Sequence, residues 1–296
     1  MKRNKKLTFT CAPLSNLNPS GMNAAVIGGT GGLGREIAKS FASRGAQVTV
    51  VGQTFRDEGS SNLTFLKADL SLMREARRVA SELPAEKLDL VVFTTGIVAA
   101  TKRQETAEGL ERDMAISYLS RLVILREIAP RLGTARTSTL GSTAPRIFVM
   151  GFPGTGQAGT LGDLNADRGY SAMTVHMNTV AGNEMLVLDA AQRFPNVATF
   201  GLNPGLIRTN IRDNFLGHGS LKSRVMEALI GLFTPTPQTY AERITPLLLA
   251  PELTGHSGAL FNQKGEAIEP SPRLLDRAHV ARFLGESQAL IDRTTP

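Results

Sequence analysis

The chain has 296 residues, 42% hydrophobic and 20% charged, which is ordinary for a globular protein whose core needs neither disulfides nor metal; its single cysteine, Cys11, excludes an intrachain disulfide. The net charge is +7, but aromatic residues do not alternate with the basic ones, so we expect no nucleic-acid partner. No apolar run reaches the roughly 18 residues that cross a bilayer, and we expect a cytoplasmic protein, with organelle import through the basic N-terminus left open.

Short apolar runs rich in β-branched residues alternate with helical stretches from residue 22 onward. Residues 1–21 match no element of this pattern, and we expect a flexible extension followed by a single domain over 22–296. Strands separated by helices form βαβ units, so the pattern predicts a doubly wound α/β Rossmann fold with a seven-stranded parallel sheet and helices on both faces. The predicted strands are 24–27, 48–51, 63–66, 90–93, 147–150, 197–202 and 259–262, and the predicted helices are 36–43, one capped by Ser71 and ending near Glu82, 112–131 and 170–192.

A glycine-rich loop follows the first predicted strand. Gly28, Gly32 and Gly34 form the pattern G-x-x-x-G-x-G at a strand-to-helix junction. Glycine lets the backbone turn tightly and approach a pyrophosphate, whose charge is stabilised by the N-terminus of the following helix. The pattern therefore predicts a dinucleotide-binding loop, with a tight turn that binds no ligand as the alternative.

Three further segments accompany the glycine loop. Asp69-Leu70 follows the third strand, Pro-Gly-Leu-Ile-Arg-Thr (204–209) follows the sixth, and Ser-Gly-Ala-Leu-Phe (257–261) lies near the C-terminus. From about residue 23 onward the chain resembles the short-chain dehydrogenase/reductase family, most closely its retinol-dehydrogenase and WW-domain-oxidoreductase-like branch. The resemblance implies a nicotinamide cofactor, a small-molecule substrate and a homodimer formed through the two long helices.

The resemblance also assigns the cofactor contacts. Asp69 stands where the family's acidic residue contacts adenine, and 204–209 matches the segment that frames the nicotinamide. NAD enzymes place an acidic residue at the end of the second strand, but this chain has Val-Gly-Gln-Thr (51–54) there, while Arg35 and Arg56 can pair with a 2′-phosphate, so NADP(H) is favoured over NAD(H). The predicted cofactor-binding residues are Gly28, Thr30, Gly32, Leu33, Gly34, Arg35, Gln53, Asp69, Leu70, Thr95, Gly96, Pro204, Gly205 and Thr209.

The chain lacks the Tyr-x-x-x-Lys pair that accompanies this loop in the family, because its three tyrosines are followed four positions later by Leu, Thr and Ile. By the family's spacing, its catalytic asparagine falls at Ser117, its serine at Gly151 or Phe152, its tyrosine at His176 and its lysine at Val180. The family's tyrosine delivers a proton to the substrate oxygen, and the nearby ammonium lowers its pKa. None of these four identities is present.

The candidate catalytic residues are therefore His176, since imidazole changes its charge near neutral pH, and Ser117; a helix residue without a chemical role is the alternative for His176. Phe152 and Phe215 are the predicted substrate contacts, and Phe215 lies in the apolar segment 210–233, which fits a substrate lid and packing against the sheet equally well. Three functions stay open. They are an NADP(H)-binding oxidoreductase for a small apolar substrate with a non-standard proton donor, which we expect, a non-redox isomerase, dehydratase or cyclase, and a cofactor-binding or interaction protein without turnover.

Overall fold

One eight-stranded sheet organises the residues that the computed structural model describes, which are 1–8, 10–137, 144–207 and 235–294. The strand order is β3-β2-β1-β4-β5-β6-β7-β8, and every neighbouring pair is parallel except β7 and β8. The doubly wound α/β prediction is confirmed. The strands are β1 (Asn23–Ile27), β2 (Gln47–Gly52), β3 (Leu63–Lys67), β4 (Leu90–Phe93), β5 (Arg146–Met150), β6 (Ala198–Leu202), β7 (Leu260–Phe261) and β8 (Ala267–Ile268).

The prediction of seven parallel strands is wrong by one strand at the edge of the sheet. β8 pairs antiparallel with β7, with Leu260 opposite Ile268. It has two residues, too few for alternation between apolar and polar positions to be visible in the sequence. The start of the chain continues this edge, since Arg3 forms an antiparallel bridge with Ile268 and the Asn4 amide donates to the Ala267 carbonyl at 2.8 Å.

Helices cover both faces of the sheet because its central strands are apolar on both sides. In β4, Val91 and Phe93 join one core cluster, whereas Leu90 and Val92 join the other. This division follows from the two-residue period of a strand. The first cluster packs against α2, α4, α5 and α7, and the second against α1 and α6. The helices are α1 (Gly32–Ala42), α2 (Met73–Glu82), α3 (Arg112–Met114), α4 (Ser120–Ile128), α5 (Ala172–Arg193), α6 (Pro237–Leu249) and α7 (Arg277–Asp292).

Two predicted helix starts are wrong. α1 begins at Gly32, four residues before the predicted start, so two loop glycines belong to its first turn. The N-cap of α2 is Leu72 rather than Ser71, and the backbone amides of its first residues donate to the carboxylate of Glu108. A carboxylate from a distant loop thus stabilises the N-terminus of this helix. The local sequence instead predicts that the Ser71 hydroxyl would cap it, because serine is a favoured N-cap residue.

The predicted helix 112–131 is interrupted by a π-helix, Ala115–Leu119, between α3 and α4. α7 packs across this segment, since Tyr118 donates to the Ser287 hydroxyl at 3.0 Å and its ring lies 5.8 Å from that of Phe283. α7 also contacts α5. The chain's own last helix therefore covers part of the surface of the two helices through which a homodimer is predicted.

Candidate functional site

A cavity of about 300 Å³ lies at the carboxyl ends of β1, β2 and β4. The strand order reverses between β1 and β4, and ligands of doubly wound sheets bind beyond the carboxyl ends of the strands at such a point. Seven residues of the predicted cofactor set line this cavity, together with Arg56, which was predicted as a 2′-phosphate contact, and seven further residues. The predicted set contributes Gly28, Thr30, Gln53, Asp69, Leu70, Thr95 and Gly96, and the further residues are Gly52, Thr54, Ala68, Ser71, Ile97, Arg112 and Ile116.

The glycine loop packs against the segment that follows β4. Gly28 has φ +93°, and a Cβ there would lie 2.6 Å from the Thr95 amide nitrogen. A Cβ on Gly34 would overlap the Thr94 hydroxyl and the Gly28 carbonyl. Only glycine fits these two positions, and their lack of side chains brings the loop backbone and the N-terminus of α1 to the edge of the sheet, as a dinucleotide pyrophosphate requires.

Asp69 is held as a carboxylate at the opposite end of the cavity. Its Oδ1 accepts the Ser71 amide proton at 3.0 Å. Burial raises the pKa of Asp69, but hydrogen bonds from Ser71 and Gln53 outweigh burial, so the pKa lies below its usual range. This fixed acceptor, next to the buried Leu70, provides one polar and one apolar contact for a planar base.

The two arginines predicted to contact a 2′-phosphate have different surroundings. Arg35 donates to both carboxylate oxygens of Asp57, with Nε at 2.8 Å from Oδ2, and it does not line the cavity. Arg56 donates to the Thr30 carbonyl at 2.9 Å and does line it. The Asp57 pair occupies much of the Arg35 guanidinium, so Arg56 is the better placed of the two for a phosphate.

The remaining predicted contacts are elsewhere in the fold. Leu33 packs against the core beneath α1, and Pro204 and Gly205 follow β6 without lining the cavity. Phe152 follows β5, is partly buried, and its carbonyl accepts the Thr155 hydroxyl at 2.8 Å. Thr209, Phe215 and the apolar segment 210–233 lie outside the described residues.

His176 and a buried carboxylate form a pair beside this cavity. His176 Nδ1 lies 2.8 Å from Asp113 Oδ2, with the imidazole 18% exposed and the Asp113 side chain fully buried. Ser117 donates to the other Asp113 oxygen and accepts the Ile97 amide at 3.0 Å. Ile97 and Ile116 line the cavity, and the Ile97 amide connects it to the pair through Ser117, whereas neither His176 nor Asp113 lines it. The structure thus brings both candidate catalytic residues onto one carboxylate, Asp113, which is not among the predicted site residues.

A buried arginine completes this group. Arg121 is 3% exposed and donates to the Met150 carbonyl at 2.5 Å, to Asn183 Oδ1 at 2.9 Å and to the Thr95 carbonyl. Burial lowers the pKa of Arg121 to about 9, and the charge of Asp113 acts in the opposite direction. Asp113, Ser117 and Arg121 recur every four residues, and this D-x-x-x-S-x-x-x-R spacing is the sequence signal that could have revealed the group.

At the positions where the resemblance places the family's serine and lysine, the side chains carry no reactive atom. Gly151 lies against α5, where a Cβ would be 3.3 Å from the Asn183 Cβ. Val180 is 4% exposed and apolar. Asn183 itself donates to the carbonyls of Ser117 and Thr179, both at 2.8 Å, and thereby ties α5 to the π-helix. The polar groups of the site therefore come from His176, Asp113, Ser117 and Arg121.

Comparisons with known proteins cover nearly the whole chain. A family model described as short chain dehydrogenase matches residues 22–140. An uncharacterized oxidoreductase of Saccharomyces cerevisiae is 47% identical over 99% of this chain and 95% of its own length, and human retinol dehydrogenase 12 is 24% identical over 88% and 83%. The solved structure of an uncharacterized protein from Mycobacterium paratuberculosis has the same fold, with a TM-score of 0.68 at 18% identity, covering 96% of this chain and 98% of that one.

The sheet order, the glycine loop at its switch point and a relative at 47% identity over almost the full length agree with one another. The chain belongs to the short-chain dehydrogenase/reductase family.

Proposed function

We propose that this protein is an NADP(H)-dependent oxidoreductase that acts on a small apolar substrate and uses His176 as its proton donor. The observation that carries the proposal is the 2.8 Å contact between His176 Nδ1 and the fully buried Asp113. A carboxylate that accepts the Nδ1 proton fixes the tautomer of the imidazole. It leaves Nε2 available, and Nε2 has no hydrogen-bond partner in the described part of the chain.

The residues around the cavity fit a nicotinamide dinucleotide. The glycine loop and the N-terminus of α1 would hold the pyrophosphate, Asp69 the adenine, and Gln53 and Arg56 the adenosine ribose with its 2′-phosphate. Thr95 lines the same cavity, and its buried hydroxyl has no hydrogen-bond partner among the described residues, as expected of an atom that a ligand satisfies. When bound, the cofactor supplies or accepts the hydride.

The chain's own residues provide the proton. In reduction, protonated His176 would donate from Nε2 to the substrate oxygen, while Asp113 stabilises the imidazolium before transfer. Ser117, whose hydroxyl accepts the Ile97 amide proton, donates to Asp113 from the other side. In the oxidation direction the neutral imidazole would accept the same proton. The partial exposure of His176 allows the proton to be replaced from water.

The test is NADPH consumption by the purified protein with a panel of apolar ketones, enones and imines, run in parallel with NADH. We expect His176→Asn to lower kcat by about 100-fold or more, because general acid catalysis contributes factors of this size. His279→Asn is the matched control, since His279 contacts the Ala158 carbonyl away from the cavity, and its kcat should match the parent's. No oxidation of NADPH by any substrate would overturn the proposal, and equal rates in His176→Asn would remove His176 from the mechanism.

A non-redox reaction is the second candidate, because the Asp113–His176 pair is an acid–base unit that needs no hydride. An isomerase, dehydratase or cyclase would convert its substrate without net consumption of NADPH. Product analysis of the same panel by mass spectrometry distinguishes the two functions. Product that forms without cofactor consumption and disappears in His176→Asn would favour this second function.

We also propose a cytoplasmic location and a homodimer. In the described part of the chain, no helix combines the length and the apolar character required of a membrane span. Cell fractionation tests the location, and light scattering tests the dimer. The dimer would have to form beside or over α7, which packs on α5 and on the π-helix.

A further inference from the structure

Arg121 is a charged side chain that is almost completely buried. Its hydrogen bonds go to two carbonyl oxygens and one amide oxygen, and its Nε has no partner among the described residues. No ion pair identified in the described ranges involves it. Burial of a cation without direct neutralisation costs several kcal/mol. A charge kept under these conditions at the carboxyl edge of the sheet calls for a reason beyond packing.

The carboxylate whose charge acts on Arg121 is Asp113. Asp113 lies in α3 and Arg121 in α4, with Ser117 in the π-helix between them. Ser117 donates to Asp113, and Asn183 accepts from Arg121 and donates to the Ser117 carbonyl. The charge of Asp113 also contributes to the raised pKa of Glu111 and of Tyr170, in both cases after the larger effect of burial. Burial holds the pKa of Tyr170 above its usual value, so this tyrosine keeps its proton at neutral pH.

We propose that Arg121 is the positioning cation of this site, whose charge keeps Asp113 ionised so that it holds the proton of His176 on Nδ1. This inference rests on the proposed function for its catalytic meaning. Its electrostatic content does not depend on which reaction the site performs. With Arg121 present, the Asp113–His176 pair can carry a net charge of −1 beside a compensating +1. Without the guanidinium, a buried −1 remains, and the pair binds a proton more tightly.

A purely structural role is the competing explanation. Arg121 joins the residue two positions past β4 to the last residue of β5 and to α5 through Asn183. Loss of these bonds alone would lower stability but would leave the titration of the pair where it is. The two roles therefore differ in a quantity that can be measured without substrate or cofactor.

The experiment is an NMR titration of ¹⁵N-histidine-labelled full-length protein, with the His176 signal identified from its absence in His176→Asn. In Arg121→Met we expect the midpoint of this signal to move to higher pH by about one unit. The substitution removes a positive charge near Asp113, so the Asp113–His176 pair binds its proton more tightly. Arg121→Lys keeps the charge and should stay near the parent midpoint. Arg126→Met is the matched control, since Arg126 lies five residues along the same helix and contacts Gln288 instead.

A folded Arg121→Met protein with an unmoved midpoint would overturn the inference. An equal shift in Arg121→Lys would overturn it too, because geometry rather than charge would then be responsible. Arg121→Gln, which keeps an amide donor for one carbonyl, carries the same expectation where Arg121→Met does not fold. The outcome is separate from that of the proposed function: a shifted midpoint in a protein that never oxidises NADPH would support the role of Arg121 and refute the oxidoreductase.

Discussion

The two halves of this site are built by different means. The half formed by the glycine loop depends on positions that have no side chain, since a Cβ on Gly28 or Gly34 would overlap backbone atoms or the Thr94 hydroxyl. The half between the π-helix and α5 depends on charged side chains, with Asp113 and Arg121 both buried. The first half should therefore fail when volume is added and the second when charge is removed. Four substitutions test this contrast.

The largest effect is expected for Gly34→Val. The new side chain would overlap the Gly28 carbonyl, which cannot move without the loop. We expect NADPH affinity, measured by fluorescence titration, to fall by roughly 100-fold or more, in line with the ~3 kcal/mol cost of overpacking. Gly31→Ala is the control in the same loop, since its Cβ would meet only Arg56 Nη1, at 3.8 Å, and affinity should be retained. Unchanged affinity in Gly34→Val would show that this half tolerates volume.

Asp113→Asn removes charge from the other half without changing its volume. We expect kcat to fall by about 100-fold, because an amide cannot stabilise the imidazolium of His176. NADPH affinity should stay at the parent value, since Asp113 does not line the cavity. Asp167→Asn, at a half-exposed carboxylate, controls for the loss of one negative charge. A parallel loss of affinity and kcat would mean that the two halves are not independent.

Arg56→Ala should affect cofactor choice more than Arg35→Ala does. Arg56 lines the cavity, whereas Arg35 is paired with Asp57. We expect Arg56→Ala to weaken NADPH by about 10-fold and NADH little, the size of one charge-assisted hydrogen bond. Titrations of both variants with both cofactors provide the measurement. An equal loss of affinity for NADPH and NADH would show that Arg56 does not contact the 2′-phosphate.

The smallest effect is expected for Tyr118→Phe, which lies outside both halves. The substitution removes one buried hydrogen bond, from Tyr118 to Ser287, and should lower the free energy of unfolding in urea by about 1 kcal/mol. It leaves the hydroxyl of Ser287 its own bond to the Phe283 carbonyl. NADPH affinity and kcat should match those of the parent. A loss of kcat would show that the packing of α7 affects the half of the site between the π-helix and α5.

The same contrast explains how much the sequence could predict. The central strands are apolar runs of four to six residues, so most of the sheet was readable locally. The edge strand β8 was not, because two residues carry no pattern. The start of α1 could not be predicted because its first turn contains glycines, which are poor helix formers. The cap of α2 could not be predicted because its amides donate to Glu108, which is more than 30 residues away.

The site divides in the same way. Gly28 and Gly34 belong to one short pattern, and their place after β1 is enough to predict their role. His176 could be predicted only from the family's spacing, which places the family's tyrosine at this position. Its partner Asp113 is 63 residues away, on another helix, and a pair of this kind is created by packing alone. The phosphate contact of Arg35 stays a prediction, and its pairing with Asp57, 22 residues away, is likewise created by packing.

The π-helix Ala115–Leu119 has a consequence for the alignment of Asp113, Ser117 and Arg121. An α-helix turns ~100° per residue, so residues eight apart drift by about 80°. A π-turn contains one residue more than an α-turn and removes part of this drift, which helps Asp113, Ser117 and Arg121 to face the same side. Deletion of one residue here would rotate Arg121 by about 100° around the helix axis. The number of residues in the π-helix, and not only their type, therefore determines whether Asp113 and Arg121 face the same side.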